Sequence, residues 1–263
     1  MGDIIVVIPY LAQEAQGREL ELAVRGWQKH FKEEHKVVIV GDFDELVRNA
    51  LMENGCVEFI TCPRVDPIEG QYTAHLDHVN KFLKVLEVHP EIENTGFIYT
   101  CDDIYAVKDF TLADILVPKV SSRDMPPIDY RKEVGWFKDL GKTRELCAKE
   151  GWPTMNWVCH LPVWYPSRSV REMIERFDMK HNSYVMENLI FNLWHAIRWH
   201  RMDADFREPD FIPETGGPWR HGVQTSSPSF STVEETGAVW ITNANCGWSK
   251  RLEDILWKHY GIL

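Results

Sequence analysis

Two adjacent carboxylates, Asp102 and Asp103, follow directly on the run Phe97-Ile98-Tyr99-Thr100-Cys101, and a second apolar run, Ile104 to Val107, comes straight after them. Phe97 to Thr100 suits a buried strand, so the sequence sets two acids where a central strand stops. Such a pair is costly to bury unpaired. Three arrangements remove the cost: capping a backbone terminus, meeting a basic partner, or holding a divalent metal together with that metal's phosphate ligands. With a strand ahead of the pair and an apolar run behind it, the metal arrangement is the one the context favours.

The elements that must position this pair read as an alternation. Ile4-Ile5-Val6-Val7-Ile8 is a continuous β-branched run ended by Pro9-Tyr10, the pattern of a strand buried on both faces of a parallel sheet. Leu20, Val24, Trp27 and Phe31 then give the stripe of an amphipathic helix. Val37 to Val40 predicts the next strand, stopped by Gly41-Asp42; Asp44 is placed to cap a helix with Val47, Ala50 and Leu51 inward; Val57 to Ile60 predicts a third strand. Leu76, Val79, Leu83 and Leu86 mark another helix before the strand at Phe97. Four strands alternating with helices require right-handed crossovers and a mostly parallel sheet flanked by helices, an α/β fold. Ligands of such sheets bind at the carboxyl ends of the strands, which brings Pro9-Tyr10, Asp42, the segment after Thr61 and Asp102-Asp103 to one edge.

Beyond Val107 the alternation stops. Prolines and glycines between 118 and 156 predict irregular structure with a short helix near Lys142 to Lys149, and Met155 to His160 reads as a strand. Ser169 and Glu172 form a capping-box pattern ahead of a helix with Val170, Met173, Ile174 and Phe177 inward. Met186, Leu189, Ile190, Leu193 and Ile197 predict one more helix, Gly237 to Asn243 a last strand, and Leu252, Ile255, Leu256 and His259 a closing helix. The stretch 208–231, rich in Pro, Gly and Ser and carrying Trp219, Arg220 and His221, reads as a functional loop, a lid on the acceptor side.

Missing signatures narrow the chemistry. The chain has no phosphate-binding G-x-x-x-x-G-K-[ST] loop, no G-x-G-x-x-G after its first strand, no G-x-S-x-G elbow and no H-E-x-x-H. A parallel sheet without a glycine cradle but with strand-end acids can hold a diphosphate through a bridging Mg²⁺ or Mn²⁺. The order Ile-Val-Val-Ile-Pro-Tyr, Val-Ile-Val-Gly-Asp, Phe-Ile-Tyr-Thr-Cys-Asp-Asp resembles the nucleotide-sugar half of GT-A-type glycosyltransferases, over about residues 1 to 110. The resemblance implies a GT-A-like Rossmann-type fold, a nucleotide-diphosphate sugar as donor, and Mn²⁺ or Mg²⁺ as cofactor. It implies Asp103 as metal ligand, Asp102 on the metal or ribose, Asp42 on the base or ribose, and the backbone at Pro9 and Tyr10 bordering the nucleotide. Thr100 and Cys101 stand where a first acid of a D-x-D motif is often found, which leaves open which of the two aspartates is the direct ligand.

A looser similarity to Stealth-type sugar-phosphate transferases rests on Asn80-Lys81-Phe82-Leu83-Lys84, Thr100 to Asp103, His160-Leu161-Pro162 and Trp240 to Asn243. It implies Asn80 and Lys84 facing the donor, His160 near the pyrophosphate or metal, and Glu187 on the helix behind. The Trp-Val-Asp-Gly block of that family is replaced here by Ile-Pro-Tyr, so glycosyl transfer is the preferred reading and sugar-1-phosphate transfer the alternative. Glu187 and His160 are the candidates to take a proton from an acceptor hydroxyl. Each residue also has a plainer reading: Asp42 as a turn cap, His160 as a core histidine, Glu187 as a carboxylate favouring a helix N-terminus.

The composition sets the frame. A 263-residue chain that is 44% hydrophobic and 26% charged has ordinary globular composition, read as residues 1–110 for the nucleotide sugar and 111–263 for the acceptor side of the same domain. A net charge of −11 argues against a general nucleic-acid coat protein. Six cysteines without a C-x-x-C pair read as free thiols of a cytoplasmic protein, and no stretch reads as an integral membrane segment. A glycan, a small molecule, a protein side chain or a modified DNA base would each serve as acceptor. Eleven tryptophans keep a non-catalytic carbohydrate-binding protein as a further alternative.

Overall fold

The computed structural model describes residues 4–43, 45–52, 57–121, 124–128, 134–200, 222–224, 228–243 and 248–261. Its main sheet begins with β1 (Ile4–Leu11), followed by α1 (Glu19–His30), β2 (His35–Asp42), α2 (Glu45–Met52), β3 (Val57–Thr61), α3 (Thr73–Val88) and β4 (Phe97–Tyr99). The sheet closes with β6 (Val163–Tyr165), for a strand order β3-β2-β1-β4-β6. The first four strands are parallel and β6 is antiparallel to β4. The expected α/β class with a mostly parallel sheet is therefore what the chain forms.

Alternating side chains separate the two faces of this sheet. Ile5, Val7, Val38 and Val40 pack with Val79, Phe82, Val85 and Leu86 of α3. Val6, Ile8, Val37 and Ile39 pack on the other side with Leu20, Val24 and Trp27 of α1. The β-branched run of β1 is buried on both faces because helices cover both. The chain moves outward from β1 to β2 and β3, then crosses back to place β4 on the far side of β1. That reversal makes the carboxyl ends of β1 and β4 the switch point, where a crevice opens between diverging loops.

β1 runs to Leu11, three residues past the predicted end at Ile8. Pro9 does not stop it, because the pairing of β1 with β4 ends at Val7↔Tyr99, so on that side no ladder partner waits for the missing N–H. Gly41 makes the close pairing with β2 possible: its φ is 153°, and a Cβ there would stand 1.8 Å from the Tyr10 carbonyl oxygen.

Beyond β4 come β5 (Ile104–Ala106), α4 (Leu112–Leu116), α5 (Trp136–Lys149), α6 (Ser167–Arg176), α7 (Met186–His200), β7 (Gly222–Gln224), β8 (Trp240–Thr242) and α8 (Lys250–Tyr260). β5, β8 and β7 form a second sheet, β8 being antiparallel to β5 and parallel to β7. The two sequence halves interlock: β6 joins the main sheet while β5 pairs with β8. No helix of the described residues is long and apolar enough to cross a membrane.

The C-terminal half departs from the sequence reading in four places. Met155 to His160 is not a strand. Side-chain amides of α7 take its backbone donors instead, Met155 N donating to Asn192 Oδ1 at 3.0 Å and Trp157 N to Asn188 Oδ1 at 2.7 Å. Ser169 caps nothing, because α6 already starts at Ser167 behind Pro166. Helix α5 begins at Trp136, six residues before the predicted Lys142. The final strand is confined to Trp240–Thr242, after a 3₁₀ turn at Val233–Thr236. Of the stretch read as a lid, 208–221 and 225–227 lie outside the described residues, as do Asp44, Cys56 and Cys246.

Candidate active site

At the switch point lies a cleft of about 280 Å³ whose lining includes Pro9 and Tyr10 from the end of β1, Glu19 from the start of α1, Asp102 and Asp103 after β4, and Asn243 after β8. Helix α3 supplies another wall through Ala74, Asp77, His78 and Lys81, the i, i+3, i+4, i+7 spacing of one helical face, and Arg64 stands at the rim. Arg64 pairs there with Glu14 at 2.5 Å.

Lys81 fixes the geometry of this wall. Its buried Nζ donates to the Tyr10 carbonyl at 2.9 Å and pairs with Asp77 Oδ2 at 2.6 Å. The other Asp77 oxygen accepts from Val65 N at 3.2 Å. Helix α3, the tip of β1 and the segment after β3 are thereby tied at one point. On the opposite side, Glu19 accepts from Gln16 N at 2.8 Å and from the Asn243 side-chain amide. Asn243 N in turn donates to Asp103 O at 3.2 Å, which extends the β5–β8 pairing to the acid pair itself.

Three carboxyls thus share the floor of the cleft: Glu19, Asp102 and Asp103. Burial pushes Asp102 up to about 7, with Asp103 and Glu19 raising it further and Lys81 offsetting part. Burial likewise pushes Glu19 up to about 7, with Asp103 adding to it. Asp103 is raised by burial, opposed first by His160. A carboxyl that raises its neighbours in this way marks a site short of positive charge. Among the described residues no group of three or more His, Cys, Asp or Glu side chains is placed to hold a metal by itself. Asp102 and Asp103 offer hard oxygen donors for part of a divalent coordination shell, the remainder falling to a ligand's phosphates and water.

A second cavity of about 180 Å³ borders the cleft and shares His78 with it. His160, Glu187, Tyr99, Cys101 and Tyr165 line this chamber. His78 stays neutral, burial pushing it down to about 3 with His75 and Lys81 adding to the effect. Glu187, at the start of α7, is buried with its Oε1 unpartnered, and burial holds its carboxyl well above the usual range. His160 is exposed and has φ 48°, a left-handed backbone uncommon for a residue with a Cβ.

The fold therefore collects Pro9, Tyr10, Asp102 and Asp103 in one cleft and sets His160 and Glu187 in the adjoining chamber. Three other candidates lie elsewhere. Asp42 is exposed at the end of β2. Asn80 donates to Cys62 Sγ at 3.2 Å, and Lys84 pairs with Glu87 at 3.1 Å on the solvent face of α3. Reading the residues missed Glu19, Arg64, Asp77, His78, Lys81 and Asn243. For α3 a signal existed: the polar stripe 74, 77, 78, 81 repeats with helical period and contains an i, i+4 Asp–Lys pair. Glu19 and Asn243, 224 residues apart, carry no such local signal.

No protein-family model matches the chain, and no curated protein sequence matches it. Solved structures do. The bifunctional glycosyltransferase WbbM in its apo form aligns with a TM-score of 0.46 and 9% identity, over 98% of this chain and 50% of that one. The glycosyltransferase GlyE of Streptococcus pneumoniae TIGR4 aligns with a TM-score of 0.42 and 9% identity, over 98% and 60%. Apo mouse xyloside xylosyltransferase 1 aligns with a TM-score of 0.41 and 12% identity, over 93% and 97%. The chain spans about half to three-fifths of the length of the first two.

Proposed function

We propose that the protein is a glycosyltransferase that moves a sugar from a nucleotide-diphosphate sugar to an acceptor hydroxyl, with Mn²⁺ or Mg²⁺ held by Asp103 and Asp102. The observation that carries this reading is the crowding of Glu19, Asp102 and Asp103 on the floor of a cleft at the sheet's switch point, where Asp103 raises both of the others and Glu19 raises Asp102. A divalent ion bound there supplies the charge that neutralises a diphosphate leaving group.

The chain's own residues do the rest. The backbone of Pro9 and Tyr10, pinned by Lys81, borders the nucleoside, and Arg64 stands at the rim on the phosphate side. Asn243 ties Glu19 to the acid pair from the opposite side, its side-chain amide donating to Glu19 and its backbone N to Asp103 O. In the transfer the acceptor oxygen bonds to the sugar's anomeric carbon, the bond from that carbon to the diphosphate oxygen breaks, and its electron pair leaves with the diphosphate. The hydroxyl proton passes to a base bordering the chamber, with His160 and ionised Glu187 among the candidates. Among the described residues Cys62, Cys101 and Cys147 are free thiols, which supports a reducing compartment such as the cytoplasm.

The test is calorimetric titration with UDP-, GDP-, CDP- and TDP-sugars, each with Mn²⁺, Mg²⁺ or EDTA, followed by analysis of the nucleotide released. Metal-dependent binding of one donor and release of a nucleoside diphosphate is the expected result. Release of a monophosphate would instead establish sugar-1-phosphate transfer. Sugar binding indifferent to metal and nucleotide would establish a carbohydrate-binding protein.

A further inference from the structure

Histidines and a carboxyl meet around the chamber beside the donor cleft: His75, His78, His160 and Glu187. Three of them are poorly suited to take a proton there. His78, pushed down to about 3, is too weak a base near neutral pH. Burial keeps the Glu187 carboxyl protonated, and its Oε1 is sealed from any visitor. His160 is exposed, and among the described residues no hydrogen bond orients its ring.

His75, in the first turn of α3, is built differently. Its Nδ1 lies 2.7 Å from Asp139 Oδ2, on a residue only 1% exposed in the first turn of α5. The rings of Tyr72 and Trp136 stand edge-on and tilted to the imidazole, each 5.1 Å away between centroids. Asp139 is anchored in turn. Lys142 Nζ reaches its other oxygen at 3.4 Å and donates to Gln71 Oε1 at 2.9 Å and Ser183 Oγ at 3.2 Å. A carboxylate at Nδ1 can only accept, so Nδ1 carries the proton of the neutral ring and Nε2 keeps its lone pair. That Nε2 has no hydrogen-bond partner among the described residues, yet it is not one of their sealed polar atoms, and His75 lines the chamber. His78, one helical turn further along, lines both the chamber and the donor cleft, so the dyad stands beside the place where donor and acceptor meet.

We propose that His75 is the base of the transfer and that Asp139 is its positioning residue, an assignment that rests on the glycosyltransferase reading. As the acceptor oxygen bonds to the anomeric carbon, Nε2 takes the hydroxyl proton and the ring becomes an imidazolium facing Asp139. The bond from the anomeric carbon to the diphosphate oxygen breaks, and its electron pair leaves with the diphosphate. Loss of the Nε2 proton to water restores the base. An oriented histidine with a carboxylate behind it is the arrangement that proton abstraction from a hydroxyl requires.

Long-range proton–nitrogen NMR spectra of the full chain carrying nitrogen-15 histidine read the ring without donor or metal, with His75→Asn supplying the assignment. At about pH 8 the proton should sit on Nδ1 with Nε2 bare. His75→Asn keeps an amide donor for Asp139 and removes the base. Release of nucleoside diphosphate from the nucleotide sugar that binds with Mn²⁺, water standing in as acceptor, should fall about a hundredfold or more while the donor's Kd is unchanged. Asp139→Asn should move the acid limb of the pH–rate profile to lower pH, because the imidazolium loses its carboxylate; lost packing alone would leave that limb in place. A His75 ring protonated on Nε2 at about pH 8 would overturn the inference. If no nucleotide sugar binds, the transferase reading fails and the base falls with it; if one binds and His75→Asn turns it over at the parent's rate, only the base falls.

Discussion

Asp103 is one of three charges that oppose each other on the cleft floor, so Asp103→Asn should relieve the metal-free protein while disabling it. In EDTA the melting temperature of the variant should equal or exceed that of the parent. Stabilisation by a nucleotide sugar with Mn²⁺, about 2.7 kcal/mol for a ligand at a hundred times its dissociation constant, should disappear. A variant that melts lower in EDTA yet keeps the ligand effect would show that Asp103 is structural. The same carboxyls give a pH dependence. Glu19 and Asp102 are pushed to about 7 from ordinary values of 4.5 and 3.8, so the folded protein keeps protons that the unfolded chain has released. Metal-free stability should therefore fall as pH rises from about 4 to about 7, and stay low above that. Urea midpoints in EDTA at about pH 5.5 and pH 8 measure this; Glu19→Gln should flatten the difference, and a parent midpoint higher at pH 8 would contradict it. The acid pair itself was legible, because two adjacent carboxylates behind a strand are conspicuous. Glu19 was not, since it looks like any acid in the first turn of a helix.

Among the elements, α3 is joined to β1 through Lys81, which donates to the Tyr10 carbonyl and forms a buried ion pair with Asp77 of its own helix, the two side chains being 3% and 6% exposed. Lys81→Met strands the Asp77 carboxylate in the interior and takes the donor from the Tyr10 carbonyl. Breaking a buried pair from one side costs about 3–5 kcal/mol, and chemical denaturation should show a loss of that size. Adding Asp77→Leu should recover much of it, because replacing both partners by apolar groups removes the uncompensated charge. A single variant as stable as the parent would mean that solvent reaches Asp77. The strands and helices of the first half were readable because each announces itself within a few residues: β-branched runs for β1 and β2, an i, i+4 stripe for α1. Met155 to His160 shows where that reading stops. Its composition suits a strand, but strand formation needs a neighbouring backbone, and here the amides of Asn188 and Asn192 took that place.

At the scale of the molecule, Trp240 is a joint between layers. It is 1% exposed, pairs with Ala106 across the second sheet and sits edge-on to Phe110, 5.1 Å between ring centroids. Trp240→Ala should cost about 3–5 kcal/mol in unfolding free energy. It should also weaken donor binding, because Asn243, which holds Glu19, follows three residues later. A variant that loses stability but binds donor unchanged would separate the second sheet from the site.

Local pattern alone determined the sheet's first four strands, the helices between them, and the edge on which Asp102 and Asp103 stand; those depend on residue types a few positions apart. Only the tertiary structure decided which residues meet the pair. Glu19, Lys81 and Asn243 arrive from α1, α3 and the end of β8, and Asp42, although it ends a neighbouring strand, is left facing solvent. The reason is geometric: the crossover that returns β4 beside β1 opens the crevice there, not beside β2, and no local periodicity records strand order.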